Sequence, residues 1–371
     1  MAVGYHLSRA GLPFLILDAN QRTGDSWRQR WDSLRLFTPN RFDSLPGRKI
    51  PGEDWGFPTK DELADYLESY AQHFELPIRH GVNVDHLRRD DGVFLATAGD
   101  REFHANDVVV AMASYQQPRL PEFAGALDPE IVQLHVADHK NPGQLQDGDV
   151  LVVGLGNSGA EISMDLARDH HVRLSGKPSA VQPFRPERLS GRILMPFVGP
   201  VLLNRVLTTS NPLGRKVHSK MLHKAMPLLR VKPRDLDAAG VERVGRVIGV
   251  VDGHPTLEDG SVLDVADVVW CTGFEPGVSW VDLPVFDDQG HVVHERGVVD
   301  AVPGVYFVGL KFLYSVLSDT LLAAGRDAGH VVDHLANHRR IEHIGRQGDD
   351  DASIHGGEPA ASTDEADLAL G

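Results

Sequence analysis

A single cysteine, Cys271, is all that the 371 residues contain. The chain can therefore form no internal disulfide, no Cys-x-x-Cys redox pair and no thiolate metal cage. Enzymes that work through a vicinal dithiol are excluded on that count. The 19 histidines show no His-Glu-x-x-His or similar ligand spacing, so no metal is expected. Long hydrophobic runs are lacking too: the longest apolar stretch, 193–203, is too short to span a bilayer and contains Pro196 and Pro200. Positive charge is in deficit, with a net charge of −15, which argues against nonspecific attraction to nucleic acid. With no signal peptide and no disulfide framework, a reducing cytoplasm is the expected location.

What the chain does have is a βαβ pattern, met twice. The fuller copy is DVLVVGLGNSGAEISMDLARDHHVRLSGK, residues 149–177. Residues 150–153 read as a buried strand, and Gly154, Gly156 and Gly159 complete Gly-x-Gly-x-x-Gly. The first glycine makes the tight turn, the second lets backbone approach a pyrophosphate, and the third lets helix pack on strand. The following helix aims free amides and its positive end at the phosphates. Gly154, Gly156, Asn157, Ser158 and Gly159 are thus candidate cofactor contacts. A second strand, 172–175, ends in Ser175-Gly176-Lys177, where an NAD site would carry an acid. A hydroxyl and an ammonium suit a 2′-phosphate, which points to NADP(H), while a merely solvated Lys177 is the plainer reading.

The other copy opens the chain. Residues 2–11 have helix chemistry with Gly11 as the stop, 13–17 read as a strand buried on both faces, and Asp18 is an acid at the strand tip, placed for ribose hydroxyls. The strand and glycine turn that would come first are not present, so the chain reads as starting one strand late. Further on, 61–74 is an amphipathic helix with Leu63, Tyr66, Leu67, Tyr70 and Ala71 on one face. Strands are expected near 84–87, 93–97, 107–111, 247–251, 268–270 and 305–308, with a Pro/Gly/Gln-rich connector over 115–149. A final helix is expected over about 317–338, and the acidic tail after Gly345 reads as disordered. Residues 184–234 form a basic insert in an acidic protein, from Arg185 through Lys224 to Arg234, with interleaved apolar residues such as Ile193 and Phe197. Its helices can cover an active-site mouth, rest on a membrane surface, or simply pack on their own domain.

Taken together, GDSWRQRWDSLRLFTP (24–39), Leu45-Pro46-Gly47, FPTKDELADYLESYA (57–71), GLGNSG, WCTGF (270–274) and GVYFVGL…GRDA (304–328) resemble the flavin-containing monooxygenases, in particular the bacterial group similar to the plant YUCCA-type enzymes. The resemblance runs in order over about the first 340 residues. It implies an α/β fold of two doubly wound, Rossmann-like dinucleotide-binding domains, the NADPH domain inserted in a discontinuous FAD domain. The boundaries implied are 1–145 for the first FAD part, 146–264 for the NADPH domain, 265–340 for the second FAD part and 341–371 for the tail. Carried over by position, Asp18 meets the FAD ribose, Gly24, Trp27 and Arg28 lie along the FAD, and Leu34 and Thr38 lie near the flavin ring. Thr272 and Gly273 belong to the link back to the FAD domain, and Gly309, Gly325 and Asp327 border the flavin.

The activity implied is an NADPH- and FAD-dependent monooxygenation in which a flavin hydroperoxide oxygenates a small organic substrate with O₂. The chemistry is carried by the flavin, so no catalytic side chain is named. The family pattern is departed from at Ala113, where a glycine is usual, at Ala323-Ala324 before Gly325, at Pro129 and Ile131, where only His135 of a motif remains, and at Phe37. Those departures and the late start suggest either a working enzyme whose true start lies upstream or a non-catalytic NADPH-binding protein. The first is favoured because Asp18, GDSW and GRDA persist. An NADPH oxidase or diaphorase is a third reading, and homo-oligomerisation is left open.

Overall fold

The computed structural model describes residues 1–178, 180–221 and 226–355. Lys224 of the basic insert and 356–371 of the expected tail lie outside the described residues. The chain starts with α1 (Ala2–Arg9), which ends before Gly11, at a φ of 66° that a glycine adopts without strain. β1 (Ile16–Asp18) follows, then the single turn α2 (Asp25–Arg28) and the longer α3 (Lys60–His73). A reciprocal capping box between Thr59 and Glu62 starts α3. Its buried face carries Leu63, Tyr66 and Tyr70, and the two phenols also fix the 45–48 loop: Tyr66 donates to the Arg48 carbonyl at 2.7 Å and Tyr70 to that of Pro46 at 2.6 Å.

β2 (Ile78–His80) pairs in parallel with β1, and β3 (His86–Asp90), β4 (Val93–Ala98) and β5 (Arg101–Ala105) form an antiparallel meander. β6 (Val108–Val110) and β7 (Gln117–Pro118) come next. β1 was expected to be buried on both faces; it is half-buried along its length, because β2 is its only strand neighbour among the described residues.

The largest sheet is five-stranded and parallel. It is built from β8 (Val132–His135), β9 (Val150–Val153), β10 (Val172–Ser175), β11 (Glu242–Val244) and, after the antiparallel hairpin β12 (Val247–Val251) and β13 (His254–Leu257), β14 (Asp267–Trp270). The strand order is β11-β10-β9-β14-β8. Val150, Leu151 and Val152 of β9 are wholly buried, each contributing roughly 1.5–3 kcal/mol. Helix α4 (Asn157–Leu166) makes the crossover from β9 to β10. Between β10 and β11 lie α5 (Leu189–Phe197), a π-helical stretch (Val198–Val206), α6 (Pro212–Met221) and α7 (Pro233–Ala238).

Two expectations change here. The 115–149 connector contains β7 and β8, and β8 is the edge strand beside β14. Domain boundaries at 145 and 264 would therefore cut the sheet, which takes strands from 132 to 270.

The chain closes with β15 (Phe274–Glu275), antiparallel to β7, then β16 (Val305–Phe307), parallel to β6, and α8 (Leu321–His355). α8 begins after 317 because the Ser318 hydroxyl accepts from the amides of Tyr314 and Ser315, holding that segment in a turn. It continues to His355. α8 packs on α1, with the His6 Nε2 3.0 Å from the Gly325 carbonyl oxygen, and a Cβ on Gly329 would stand 3.2 Å from the His6 ring. No helix among the described residues is long and apolar enough to cross a membrane.

Candidate functional site

The strand order reverses between β9 and β14. From β9 the chain crosses to β10 and β11 on one side, and β14 returns on the other. In open parallel sheets, ligands bind in the crevice outside the carboxyl ends of the strands at such a switch point. At this switch point the segment Gly154–Gly159 after β9 lies against Cys271, Thr272 and Gly273 after β14.

The three fingerprint glycines differ in what surrounds them. A Cβ on Gly154, at a φ of 113°, would stand 2.3 Å from the Cys271 carbonyl oxygen, and one on Gly159 would stand 1.9 Å from that of Gly154. Both are required by close backbone approach. A Cβ on Gly156, the N-cap of α4, would meet nothing within 4 Å. The space beside Gly156, at the positive end of a ten-residue helix, is thus open where the packing of the other two is closed.

Side chains around this crevice are partly committed to the fold. Asn157 was expected to face the cofactor, but its amide donates to the Pro227 carbonyl at 3.0 Å and accepts from the Leu229 amide at 2.9 Å, so it ties down the end of the insert. Ser158 is the second residue of α4, beside it. Ser175 is 1 % exposed; its hydroxyl donates to Gly245 at 2.8 Å and accepts from Val247 at 3.1 Å. It clasps β10 to the chain entering β12 and does not face a phosphate. Lys177 is 87 % exposed, with Glu258 3.7 Å away. Screened at the surface, that pair is worth little, so the ammonium stays available.

The β14 wall is held by His135 and by Arg119, which the sequence did not single out. The Thr272 carbonyl accepts from the Arg119 guanidinium at 2.7 and 3.1 Å, and its hydroxyl donates to the Arg119 carbonyl. Gly273 has a φ of 86°, and its carbonyl oxygen lies 3.0 Å from the His135 Nε2. His135 accepts from the Ala137 amide through Nδ1, and burial lowers its pKa, which keeps the ring neutral. Burial likewise pushes the Cys271 thiol up to about 12, so the lone cysteine is not a nucleophile at neutral pH.

The second group of candidates sits in the other part of the molecule. The Asp18 Oδ1 accepts from the backbone and side-chain amides of Asn20, both at 2.9 Å, forming an Asx turn at the end of β1. Gly24 (φ 91°) lies against α3, where a Cβ would be 2.7 Å from the Ala64 carbonyl oxygen. Trp27 packs partly buried against the core, and Leu34 is buried in it. Arg28 was expected along a cofactor; its guanidinium instead meets Thr23, Asp25, Asp65 and Glu68, linking α2 to α3. Gly309 (φ 77°) lies beside Ala113, which holds a φ of 61° although it is not glycine. Gly325 packs on Pro46, whose ring would be 2.6 Å from an added Cβ. Asp327 is 2 % exposed, its Oδ1 paired with Arg326 and its Oδ2 without a hydrogen-bond partner.

Thr38 lines an apolar cavity formed where 37–43, the insert and 317–322 meet. Its hydroxyl donates to the Asp43 Oδ1 at 2.5 Å. Asp43 lines the same cavity, and desolvation pushes its carboxyl up to about 7.

A family model described as pyridine nucleotide-disulphide oxidoreductase matches residues 1–198. A CzcO-like oxidoreductase of Geobacillus kaustophilus is 37 % identical over 349 residues, covering 91 % of this chain and 95 % of the relative. The indole-3-pyruvate monooxygenase YUCCA1 of Oryza sativa subsp. japonica is 33 % identical over 366 residues, covering 87 % of each chain. Among solved structures, a flavin-containing monooxygenase from Stenotrophomonas maltophilia matches at a TM-score of 0.72 and 26 % identity, over 91 % of this chain and 94 % of that one.

Proposed function

The chain belongs to the pyridine nucleotide-disulphide oxidoreductase family, in its flavin monooxygenase branch, and on that premise we propose that it is an NADPH- and FAD-dependent monooxygenase of a small organic substrate. The observation that carries this reading is the contrast at the fingerprint: Gly154 and Gly159 are closed by packing, and Gly156 alone faces open space at the positive end of α4.

The residues fit NADPH. The amides that begin α4 would meet the diphosphate, and Lys177 would draw the 2′-phosphate despite Glu258 beside it. The residues fit FAD as well, since the buried Asp327 keeps an unpartnered carboxylate oxygen near the start of α8. Asp18, Gly24, Trp27, Leu34, Thr38 and Gly309 would hold or border that cofactor, while Arg28 and Gly325 would support it through packing. When bound, FAD supplies the transfer of reducing equivalents from NADPH to O₂. The protein's part is to orient NADPH through the β9–β14 crevice, to keep water out with the apolar residues of the 37–43 cavity, and to present the substrate there.

The domain division proposed for this function is an NADPH unit of about 130–272 inside a discontinuous FAD unit. We also propose that the insert rests on anionic membrane surfaces. Leu189, Ile193, Phe197 and Leu213 are exposed there, interspersed with Arg188, Arg192, Arg205 and Arg215.

The test is the visible spectrum of the purified protein together with NADPH consumption under air. Bound flavin, and NADPH oxidation that a small substrate accelerates, support the monooxygenase. Substrate-independent consumption identifies an oxidase, and a colourless protein that binds NADPH without consuming it identifies a non-catalytic binder.

A further inference from the structure

The cavity lined by Thr38 and Asp43 has an unusual composition for the reaction proposed above. Most of its lining is apolar, including Phe37, Phe42, Phe184 and Leu317. Among the described residues, the polar side chains lining it are Thr38, Gln182 and Thr320, Asp43 is the one ionisable group, and no lysine, arginine or histidine contributes. Asp43 is 3 % exposed, makes no ion pair among the described residues, and keeps Oδ2 without a hydrogen-bond partner. Burying an ionised carboxyl in such surroundings without a counter-charge is costly, so the neutral form is favoured up to about pH 7. With Oδ1 accepting from Thr38, the acidic proton belongs on Oδ2. A neutral carboxyl placed this way is a hydrogen-bond donor in an otherwise apolar cavity.

We propose that Asp43 is a specificity-determining residue, and that the cavity takes an uncharged, apolar molecule offering one hydrogen-bond acceptor, such as a ketone, to the Asp43 Oδ2–H. The same arrangement disfavours carboxylates. A 2-oxo acid, the kind of compound in the rice relative's name, would bring a negative charge into a cavity whose described lining residues offer no cation to meet it and include one ionisable group, itself an acid. The inference rests on the proposed function only in naming the ligand a substrate; the discrimination follows from the cavity alone.

The experiment is isothermal titration of the purified full chain with two probes of shared shape: phenylacetone, a neutral ketone, and phenylpyruvate, the corresponding 2-oxo acid. In the unaltered protein the ketone should bind at least ~10-fold more tightly, the ratio that one hydrogen bond and one avoided charge conflict support. Asp43→Asn keeps a donor and removes the acid that is partly ionised near pH 7, so in titrations at that pH ketone affinity should stay within about threefold while the discrimination narrows. Asp43→Leu removes the donor and should weaken the ketone about tenfold. A circular dichroism spectrum accompanies each variant, and Asp43→Asn carries the test alone should the leucine variant fail to fold. Equal or tighter binding of the oxo acid in the unaltered protein, absence of ketone binding, or an unchanged ratio in Asp43→Asn would each overturn the proposal. Missing flavin or missing NADPH consumption would defeat the monooxygenase reading and leave this ratio untouched.

Discussion

Arg326, near the start of α8, holds Asn204 of the insert: its guanidinium donates to the Asn204 carbonyl and, at 2.6 Å, to its side-chain Oδ1. The same group reaches the Ser315 hydroxyl at 3.1 Å, pairs with the buried Asp327 and stacks 4.7 Å from the Tyr314 ring centroid. One side chain therefore joins the insert, the 314–318 turn and the helix expected to border the flavin. Arg326→Ala should destabilise the protein by ~3 kcal/mol, because it leaves Asp327 buried and uncompensated. It should also free the insert, read out as faster proteolytic cleavage within 189–221. An unchanged cleavage pattern would show that other contacts hold the insert.

Ala113 occupies left-handed backbone at a φ of 61°, beside Gly309. A side chain there carries strain of ~1–2 kcal/mol, of which part returns as unfolded-state entropy when glycine replaces it. Ala113→Gly should therefore stabilise the fold by ~1 kcal/mol, visible as a raised Tm. A lowered Tm would contradict the assigned backbone.

The fingerprint glycines should separate by stability. Gly159→Ala would force a Cβ to within 1.9 Å of the Gly154 carbonyl oxygen, so α4 must move and thermal stability should fall sharply. Gly156→Ala meets open space and should leave Tm within about 1 °C–2 °C, a change of a few tenths of a kcal/mol. Equal losses in the two variants would mean that the crevice is not open at Gly156.

The pH dependence of Asp43 has a definite sign. Its folded pKa of about 7 lies above its unfolded value, so the folded state binds the extra proton between roughly pH 4 and 7. The native carboxyl thus costs nothing below about pH 4, destabilises the fold progressively as pH rises from there to about 7, and costs a constant amount above it. Asp43→Asn should match the unaltered protein near pH 4 and become more stable than it by on the order of 4 kcal/mol above pH 7. Urea unfolding across that range checks this, and a flat difference would show that the carboxyl is not raised.

The insert's exposed face predicts co-sedimentation with anionic phosphatidylserine vesicles, weakened by salt. Ile193→Asp with Phe197→Asp should abolish it without lowering Tm, since both side chains are exposed. Binding that survives both substitutions would place the contact elsewhere.

Much of the architecture could be read from residue order. β9 is a run of four apolar residues followed by glycines at fixed spacing, and α3 carries a capping box ahead of a 3.6-residue apolar period; each signal is local and strong. β8 was missed because Val-Gln-Leu-His is short and lies among turn-forming residues, and its pairing with β14 comes from more than a hundred residues away. Side-chain direction was the least legible feature. Ser175, Asn157 and Arg28 are all residue types that bind phosphates or nucleotides. Whether they do depends on Gly245, Pro227 and Glu68, partners 40 or more positions along the chain that satisfy them internally. Asp43 escaped notice for the converse reason: an acid in a Pro/Gly-containing loop looks solvated until the insert folds over it.

The central claim is that a nicotinamide coenzyme lays its diphosphate beside Gly156. It is tested most directly by isothermal titration of NADPH into the unaltered protein and into Gly156→Val, with circular dichroism confirming that both are folded. The account predicts saturable 1:1 binding that the valine weakens by at least ~10-fold, because its side chain fills the space the diphosphate would occupy. Absent binding to the unaltered protein, or equal affinity in a folded Gly156→Val, would contradict it.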